Sequence, residues 1–504
     1  MKFLQRMVSL PVLVFAGNLV LRLALISKGP YHVDVLDMIP KAQQWINTGT
    51  LSPLFGSGYP LATILAGISM KVSQVFSVDD PVFAANMVSV IFGALTAVAF
   101  FILARELFGV TAATLSTMLF SVSPIFLALS VYGKNHVATL FFFLQALVSL
   151  LFYAQGRGKK HLYLAALLLG FMGACRLQDL ILLSGPTLFF LLAVLPEEIS
   201  SRATRIKKND LWVIVGVTVL VVVCFHLPFL IGPGREGYLN QFTWFWKMGV
   251  TENYISPVSS QLVIAFIYLD KTLTEVGILL AVLGLARLAV KKRREFLFLF
   301  LWILFPLAFY GNLQTASTPR FFLIILPPFF LAMGYFLAAY LKAAKFFRVV
   351  ILVLVVVMEY LMFSSVYPTL RVRHEHAYLP EFCEWIKEQT EPDAVIVATD
   401  EIVFVRYYAG RQVLARPKSF GHISATERAL FLAQVDALLA KGTPVYFTSP
   451  SLYSYDRYRE FSGEVLQRYV LTSRGTRPYE DWHKGEMSLQ VFGFDLYKIE
   501  QNKR

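Results

Sequence analysis

Val82 to Ala104 reads V-F-A-A-N-M-V-S-V-I-F-G-A-L-T-A-V-A-F-F-I-L-A, without one Asp, Glu, Lys or Arg. About 20 such residues in a helix cross the hydrocarbon core of a bilayer, so the run reads as a membrane span. Working outward, comparable apolar segments lie at about 8–27, 60–77, 109–131, 136–154, 161–175, 179–195, 211–232, 261–289, 296–311, 321–341 and 349–366. The whole 504-residue chain agrees, being 56% apolar and only 16% charged, with 44 Phe and a mean hydropathy of +0.59. Soluble domains carry about 25% charged residues, so the chain is an integral membrane protein. Disorder and a secreted disulfide scaffold are excluded. Cys175 and Cys224 sit in apolar runs and Cys383 stands alone in the polar C-terminal part, so no structural disulfide is expected.

The net charge of +13 does not point to nucleic acid, because the Lys and Arg form short clusters between apolar runs, the positive-inside pattern. The clusters are Lys2/Arg6, Arg157/Lys159/Lys160, Arg202/Arg205/Lys207/Lys208, Lys291/Lys292/Arg293/Arg294 and Lys342/Lys345/Arg348. All five fall on the cytoplasmic side only if 60–77, short and carrying Pro60, Gly67 and Lys71, does not cross. That segment then lies along the outer interface. The expected fold is an α-helical polytopic membrane protein of about 11 transmembrane helices, with an interfacial helix in the first outer loop and a C-terminal soluble α/β domain. The N-terminal stretch to about Ile26 holds Asn18 and Arg22 and lacks a small-x-small cleavage site, so it reads as an uncleaved first span rather than a signal peptide. In a plasma (inner) membrane the N-terminus is then cytoplasmic and the C-terminal domain periplasmic or extracellular.

Residues 1–369 form the membrane domain and 370–504 the polar one. In the latter, strand-like runs occur at Ala394–Thr399, Val403–Tyr408, Pro444–Thr448, Val465–Leu471 and Leu489–Ile499, with helices near Leu379–Gln389 and Thr426–Ala440. It contains no G-x-G-x-x-G, P-loop or Cys/His metal spacing.

Candidate chemistry gathers on the outer side. Tyr31-His32-Val33-Asp34-Val35-Leu36-Asp37 follows the first span, and Asp34 and Asp37 share a face if the stretch is helical. A half-buried carboxylate at the mouth of a bundle can serve as a base, although acids at a membrane surface are often only solvated. The other polar groups on that side are mostly cationic. Arg22 lies in the outer half of span one, Lys134 and His136 at a tip, Arg176 with Gln178 in a break, and Arg320 at the start of span ten. Several ionisable groups on one side suggest an anionic ligand near the headgroups, and a phosphate would fit. Snorkelling explains Lys134 and Arg320 equally well. It explains Arg176 less well, because Gly173-Ala174-Cys175-Arg176-Leu177-Gln178-Asp179 interrupts an otherwise apolar stretch. The loop 233–260 carries Trp244, Trp246 and Tyr254, an interface belt or a stacking surface, and Thr315–Arg320 is polar and turn-forming. No internal repeat is visible, so the inverted-repeat signature of many transporters is missing.

This arrangement resembles the C-type, multi-spanning glycosyltransferase superfamily, close to protein O-mannosyltransferases and the lipid A aminoarabinose transferase. The resemblance rests on Asp34 with Gly49 fifteen residues on, Gly58-Tyr59-Pro60-Leu61, Asn86-Met87-Val88-Ser89, Gly93-Ala94-Leu95 and Ala104-Arg105-Glu106-Leu107-Phe108-Gly109. It continues through Ser123-Pro124 and Pro319-Arg320-Phe321-Phe322 before Leu326-Pro327-Pro328, covering roughly residues 8 to 340. It implies an enzyme that moves a sugar from a polyprenyl-phosphate donor on the outer leaflet to a protein, glycan or lipid acceptor, with inversion. Asp34 would then be the general base, Asp37 a second acid, and Arg320, Arg176 and Lys134 would hold the lipid phosphate as it leaves. No cofactor is required by the resemblance, and a divalent metal is left open. Two departures stand out. Many relatives carry an acid at the tip occupied here by Gly133-Lys134-Asn135-His136, which weakens the case for a metal shared by two carboxylates, and Ala84-Ala85-Asn86 replaces the usual Arg near the start of span two. The alternative from another class is a transporter or flippase of lipid-linked sugars, which would need the cations but not Asp34 as a base.

Overall fold

In the computed structural model each of these apolar segments carries a helix. In chain order the helices are α1 (Lys2–Leu23), α2 (Val33–Thr48), α3 (Pro60–Val75), α4 (Pro81–Phe108), α5 (Val110–Ser121), α6 (Pro124–Leu129), α7 (Asn135–Ala154), α8 (Lys160–Cys175) and α9 (Leu177–Phe189). There follow α10 (Lys208–Ile231), α11 (Val258–Lys291), α12 (Arg293–Tyr310), α13 (Leu326–Leu341) and α14 (Lys345–Glu375). The structure describes residues 2–54, 59–194, 208–232, 235–240, 243, 258–310, 319–341, 345–399, 401–417, 423–454, 456, 458–481 and 486–502, without the side chains of 2–9, 194, 258–262 and 345. Trp244, Trp246, Tyr254 and Thr315–Thr318 therefore lie outside the described residues.

Two compact units emerge. The first comprises Met1–Ser27, Met38–His374 and His483–Ser488, and the second Lys28–Asp37, Glu375–Trp482 and Leu489–Arg504. The first is a helical membrane bundle. Among the described residues six helices are long and apolar enough to cross a membrane: α4, α7, α10, Val263–Lys291 of α11, Pro319–Leu341, and the stretch that begins at Phe346. Shorter apolar helices accompany them at Leu10–Leu23, Val110–Ser121, Lys160–Cys175 and Leu177–Ala193.

Local chemistry sets the boundaries. The Asp80 carboxylate accepts hydrogen bonds from the amides of Val82 and Phe83 at 2.8 and 3.0 Å, with Pro81 in the first turn of α4, and Gly109 at φ 86° ends that helix. The single run expected at 109–131 is two helices, because Pro124 opens α6. Small residues let the helices approach closely, as is usual in lipid. A Cβ on Gly284 of α11 would strike the Ala332 carbonyl of α13, and one on Gly334 of α13 would strike Ser116 of α5.

Helix α3 has 16 residues. At 1.5 Å per residue it is shorter than a bilayer core is thick. Tyr59 before it reaches Gln178, and Ser69 within it donates to the Ala84 carbonyl at 2.6 Å in the first turns of α4. Both contacts are at one end of the bundle. The opposite end is tied by polar pairs: Tyr153 Oη donates to Asp210 at 2.9 Å, Gln155 to Glu106 at 2.9 Å, and Lys292 Nζ to the Leu107 carbonyl at 3.1 Å.

The second unit is an α/β domain around a five-stranded sheet. Its strands are β1 (Val395–Ala398), β2 (Gln412–Ala415), β3 (Val445–Thr448), β4 (Tyr469–Glu480) and β5 (Val491–Gln501), ordered β2-β1-β3-β5-β4. β1 is parallel to β2 and β3, while β5 runs antiparallel to β3 and β4. The helices α15 (Tyr378–Gln389), α16 (Ala425–Ala440) and α17 (Glu460–Arg468) complete it, and Phe431, Val435, Phe447, Phe461, Val465 and Ile499 build its core. The run Val403–Tyr408 is not a strand. Residues Ile402–Ala409 coil helically and bury Phe404, Val405 and Ala409, a helical spacing that overrides the β propensity of the segment. Likewise α17 takes the first part of Val465–Leu471, burying Phe461 and Val465 four residues apart.

The Glu391 carboxylate accepts hydrogen bonds from Tyr446 Oη at 2.6 Å and Lys498 Nζ at 2.7 Å. Burial pushes its pKa up, but the bonds from Lys498 and Tyr446 outweigh that and bring it to about 2. A carboxyl whose folded pKa lies below its unfolded value of about 4.3 stabilises the fold above that value and loses the contribution as pH falls toward 2. Its side chain is 40% exposed, so the contribution is small. The gap in thermal midpoint between wild type and Glu391→Gln should be constant from pH 7 to 5 and close by pH 2. A gap that widens on acidification would contradict the assignment.

Candidate functional site

Helix ends supply the polar groups that gather in the first unit. The chain leaves α8 through one extended residue, Arg176 (φ −158°, ψ 95°), and α9 starts at once. Asp179, in the first turn of α9, accepts from Arg176 Nε at 2.8 Å, a pair 3% and 5% exposed. Tyr310, the last residue of α12, donates to the other Asp179 oxygen at 2.5 Å. His136, from the turn that opens α7, places Nε2 3.1 Å from Arg176 Nη1. Phe321, in the tight turn Pro319–Ile325 before α13, stacks against His136, Tyr310 and the Arg176 guanidinium. Trp302 Nε1 fixes that turn by donating to the Ile324 carbonyl at 2.8 Å. Together His136, Arg176, Asp179, Tyr310, Arg320 and Phe321 line a small pocket.

A second set adjoins the first through Arg320. Arg320 Nη1 lies 3.5 Å from Oε1 of Glu486, which is fully buried, and Tyr132 Oη donates to the same oxygen at 3.3 Å. Lys134 is buried as well, and its backbone is clamped by Ser89, whose hydroxyl meets both its amide and its carbonyl at 3.0 Å. Asn86 holds the same tip by accepting from the Gly133 amide at 2.7 Å. Burial, then the nearby Arg320 charge, hold the Lys134 ammonium well below the usual lysine pKa, with Glu486 pulling the other way. Three cations, Lys134, Arg176 and Arg320, thus face two carboxylates, Asp179 and Glu486. These groups stand at a largely buried place, where an anion is worth most. Arg176 Nη2 is buried without a hydrogen-bond partner among the described residues.

Of the residues singled out in the sequence, Lys134, His136, Arg176, Gln178 and Arg320 come together in this unit. Gln178 Nε2 reaches Tyr59 Oη at 3.5 Å, and the Tyr59 ring lies 5.7 Å from the Arg176 guanidinium. Arg22 keeps other company. Fully buried, it bonds Asn18 Oδ1 at 2.6 Å and the Ser121 carbonyl at 3.4 Å and lies over the Phe126 ring at 4.5 Å, which ties α1 to α5 and α6. Asp34 and Asp37 are in the first turns of α2 and count with the second unit. Asp34 is 26% exposed, its amide donates to His32 Nδ1 at 3.1 Å, and its Oδ1 lies 3.3 Å from the same nitrogen.

Sequence reading missed Tyr59, Tyr132, Tyr310 and Glu486. Asp179 carried a signal, three residues after Arg176 on a helical turn. Glu486 carried none, since an acid in a polar segment has no contrast with its surroundings.

Comparison with known proteins matches residues 60–229 to the family described as dolichyl-phosphate-mannose-protein mannosyltransferase. Among solved structures the chain is similar to the archaeal oligosaccharyltransferase AglB from Archaeoglobus fulgidus in complex with an inhibitory peptide and a dolichol-phosphate. That match has 14% identity and a TM-score of 0.61, covering 96% of this chain and 74% of that one. The Archaeoglobus fulgidus oligosaccharyltransferase complex with Zn and sulfate matches at 14% identity and a TM-score of 0.60, over 95% and 72% of the two chains. ArnT from Cupriavidus metallidurans bound to undecaprenyl phosphate matches at 13% identity and a TM-score of 0.56, over 99% and 98%. The search of curated proteins gave no significant match. The chain shares the fold of these membrane proteins.

Proposed function

We propose that this chain is a membrane glycosyltransferase that takes a sugar from a polyprenyl-phosphate donor and passes it, with inversion, to an acceptor hydroxyl on the non-cytoplasmic face of the membrane. The observation that carries the reading is the cluster of Lys134, Arg176 and Arg320 at the helix ends, largely buried, in a chain of this fold. The lipid-phosphate complexes of the two similar proteins support the same donor class.

The chemistry follows from charge. Asp34 takes the proton of the acceptor hydroxyl, and the acceptor oxygen attacks the anomeric carbon from the face opposite the phosphate. The bond from that carbon to the phosphate oxygen breaks, and its electron pair leaves on the phosphate. The negative charge gained there is met by Arg320, Lys134 and Arg176, fixed in advance by their partners. Among the described residues no group of three His, Cys, Asp or Glu is placed to hold a metal ion, and the tip at residue 134 offers an ammonium rather than a carboxylate. The proposed topology keeps the N-terminus in the cytoplasm and the C-terminal unit outside, with about eleven crossings.

The test is a reconstitution. Wild-type protein in nanodiscs, given a panel of hexosyl and pentosyl polyprenyl phosphates with peptide, glycan and lipid acceptors, should release polyprenyl phosphate in step with glycosylated acceptor. Donor movement between leaflets of a proteoliposome with no transfer to any acceptor would overturn the reading in favour of a flippase.

A further inference from the structure

Helix α3 has two unlike faces. Ala62, Thr63, Ala66, Gly67 and Met70 are buried, whereas Ile68, Val72, Val75 and the following Phe76 lie on the opposite side, 49% to 80% exposed. An apolar stripe on a helix too short to span a bilayer belongs in the interface, where it meets the acyl chains and its flanks meet the headgroups. Beside the stripe is a pocket of about 370 Å³, lined by Gln43 and Asn47 of α2, Lys71 and Gln74 of α3, and Asp79 and Asp80 before α4. That volume falls within the range of roughly 300–1,000 Å³ usual for small-molecule sites. The walls are fixed by packing. A Cβ on Gly67 of α3 would strike the Trp45 ring of α2, and Ser69 of α3 donates to the Ala84 carbonyl of α4 at 2.6 Å.

The lining gives the chemistry of the occupant. Lys71 and Asp79 carry opposite charges and line one pocket, yet neither side chain makes an ion pair or hydrogen bond among the described residues. Asp80 accepts both of its helix-capping bonds on Oδ1, which leaves Oδ2 to the pocket. Opposite charges that line one pocket without pairing complement a ligand that carries both. The carboxylates and the amide oxygens of Gln43, Asn47 and Gln74 accept from a primary ammonium, while Lys71 and the amide N–H groups donate to a phosphate. A choline headgroup has no N–H to donate and is usually held by aromatic rings, and no aromatic residue lines the pocket among the described residues. A purely anionic headgroup would set its charge against Asp79 and Asp80. We propose that this pocket binds the headgroup of a membrane lipid that joins a phosphate to a primary ammonium, as phosphatidylethanolamine does, with Lys71 on the phosphate and Asp79 and Asp80 on the ammonium. The site rests on the interfacial placement of α3 and not on the transferase reading.

The test titrates the full chain in detergent with short-chain phosphatidylethanolamine, phosphatidylcholine and phosphatidylglycerol, and reads bound lipid by native mass spectrometry. Wild type should bind the ethanolamine lipid about tenfold more tightly than either of the others, the scale of one hydrogen bond to a charged group. Lys71→Gln and Asp79→Asn, both at exposed positions where the fold does not depend on the charge, should each remove that preference. Gln74→Ala, which leaves the charges in place, should weaken all binding and keep the order. Equal binding of the three lipids by wild type overturns the inference, as does a preference for phosphatidylglycerol, or an ethanolamine preference that survives in both charge variants. Free phosphoethanolamine, lacking acyl chains for the α3 stripe, should displace the lipid only at large excess. Displacement at equal concentration would make the occupant a soluble phosphoethanolamine and overturn the assignment to a membrane lipid.

Discussion

Asp34→Asn is expected to express and fold as wild type and to lower sugar transfer by about a hundred- to ten-thousandfold, the range for loss of a general base. Asparagine keeps the shape of the side chain and its place in the first turn of α2. What it removes is an oxygen able to take a proton. Since Asp34 is only half buried, losing its charge costs little stability. Donor affinity should hold, because the proposal gives the phosphate to other residues, so the loss falls on kcat. Asp37→Asn, one helical turn on, should be milder. Rates of polyprenyl-phosphate release with donor binding on the same preparations check this, and a reversed ranking of the two would remove Asp34 from the role proposed.

Asp179→Ala should produce the largest loss of stability, about 3–5 kcal/mol, because it leaves the Arg176 guanidinium buried without its carboxylate. Tyr310→Phe removes one hydrogen bond to the same carboxylate and should cost about 1–3 kcal/mol. Removing both charges with Arg176→Met and Asp179→Leu should return most of the stability, since a well-packed apolar pair often replaces a buried ion pair without loss. If Arg176 also holds the phosphate, the double variant is stable but binds polyprenyl phosphate weakly. Unfolding midpoints and lipid binding, measured together, separate the two roles. A stable Asp179→Ala would mean that water reaches the pair.

The membrane bundle was legible because lipid allows few ways to cross it, so apolar length alone marks a helix. Arg176 was legible for a related reason: in an apolar run an ionisable residue stands out. The same contrast drew attention to Arg22, whose partners Ser121 and Phe126 come from helices about a hundred residues away and tie it into the bundle. Only tertiary structure reveals such partners. In the polar domain β1 and β3 were readable, being buried throughout, whereas β2 has four half-exposed or exposed residues and no alternation to reveal it. Val403–Tyr408 misled because β-branched and aromatic residues suit a strand, until packing of Phe404, Val405 and Ala409 decides for a coil. The cations stand out in the sequence, whereas Asp179 and Glu486 show as their partners only in the fold.

The most direct measurement is a structure of the protein in a nanodisc with a short-chain polyprenyl phosphate bound. The account predicts phosphate density in contact with the side chains of Arg320 and Lys134, beside the Phe321 turn. Phosphate density elsewhere in the bundle, in a preparation that still transfers sugar, would contradict it.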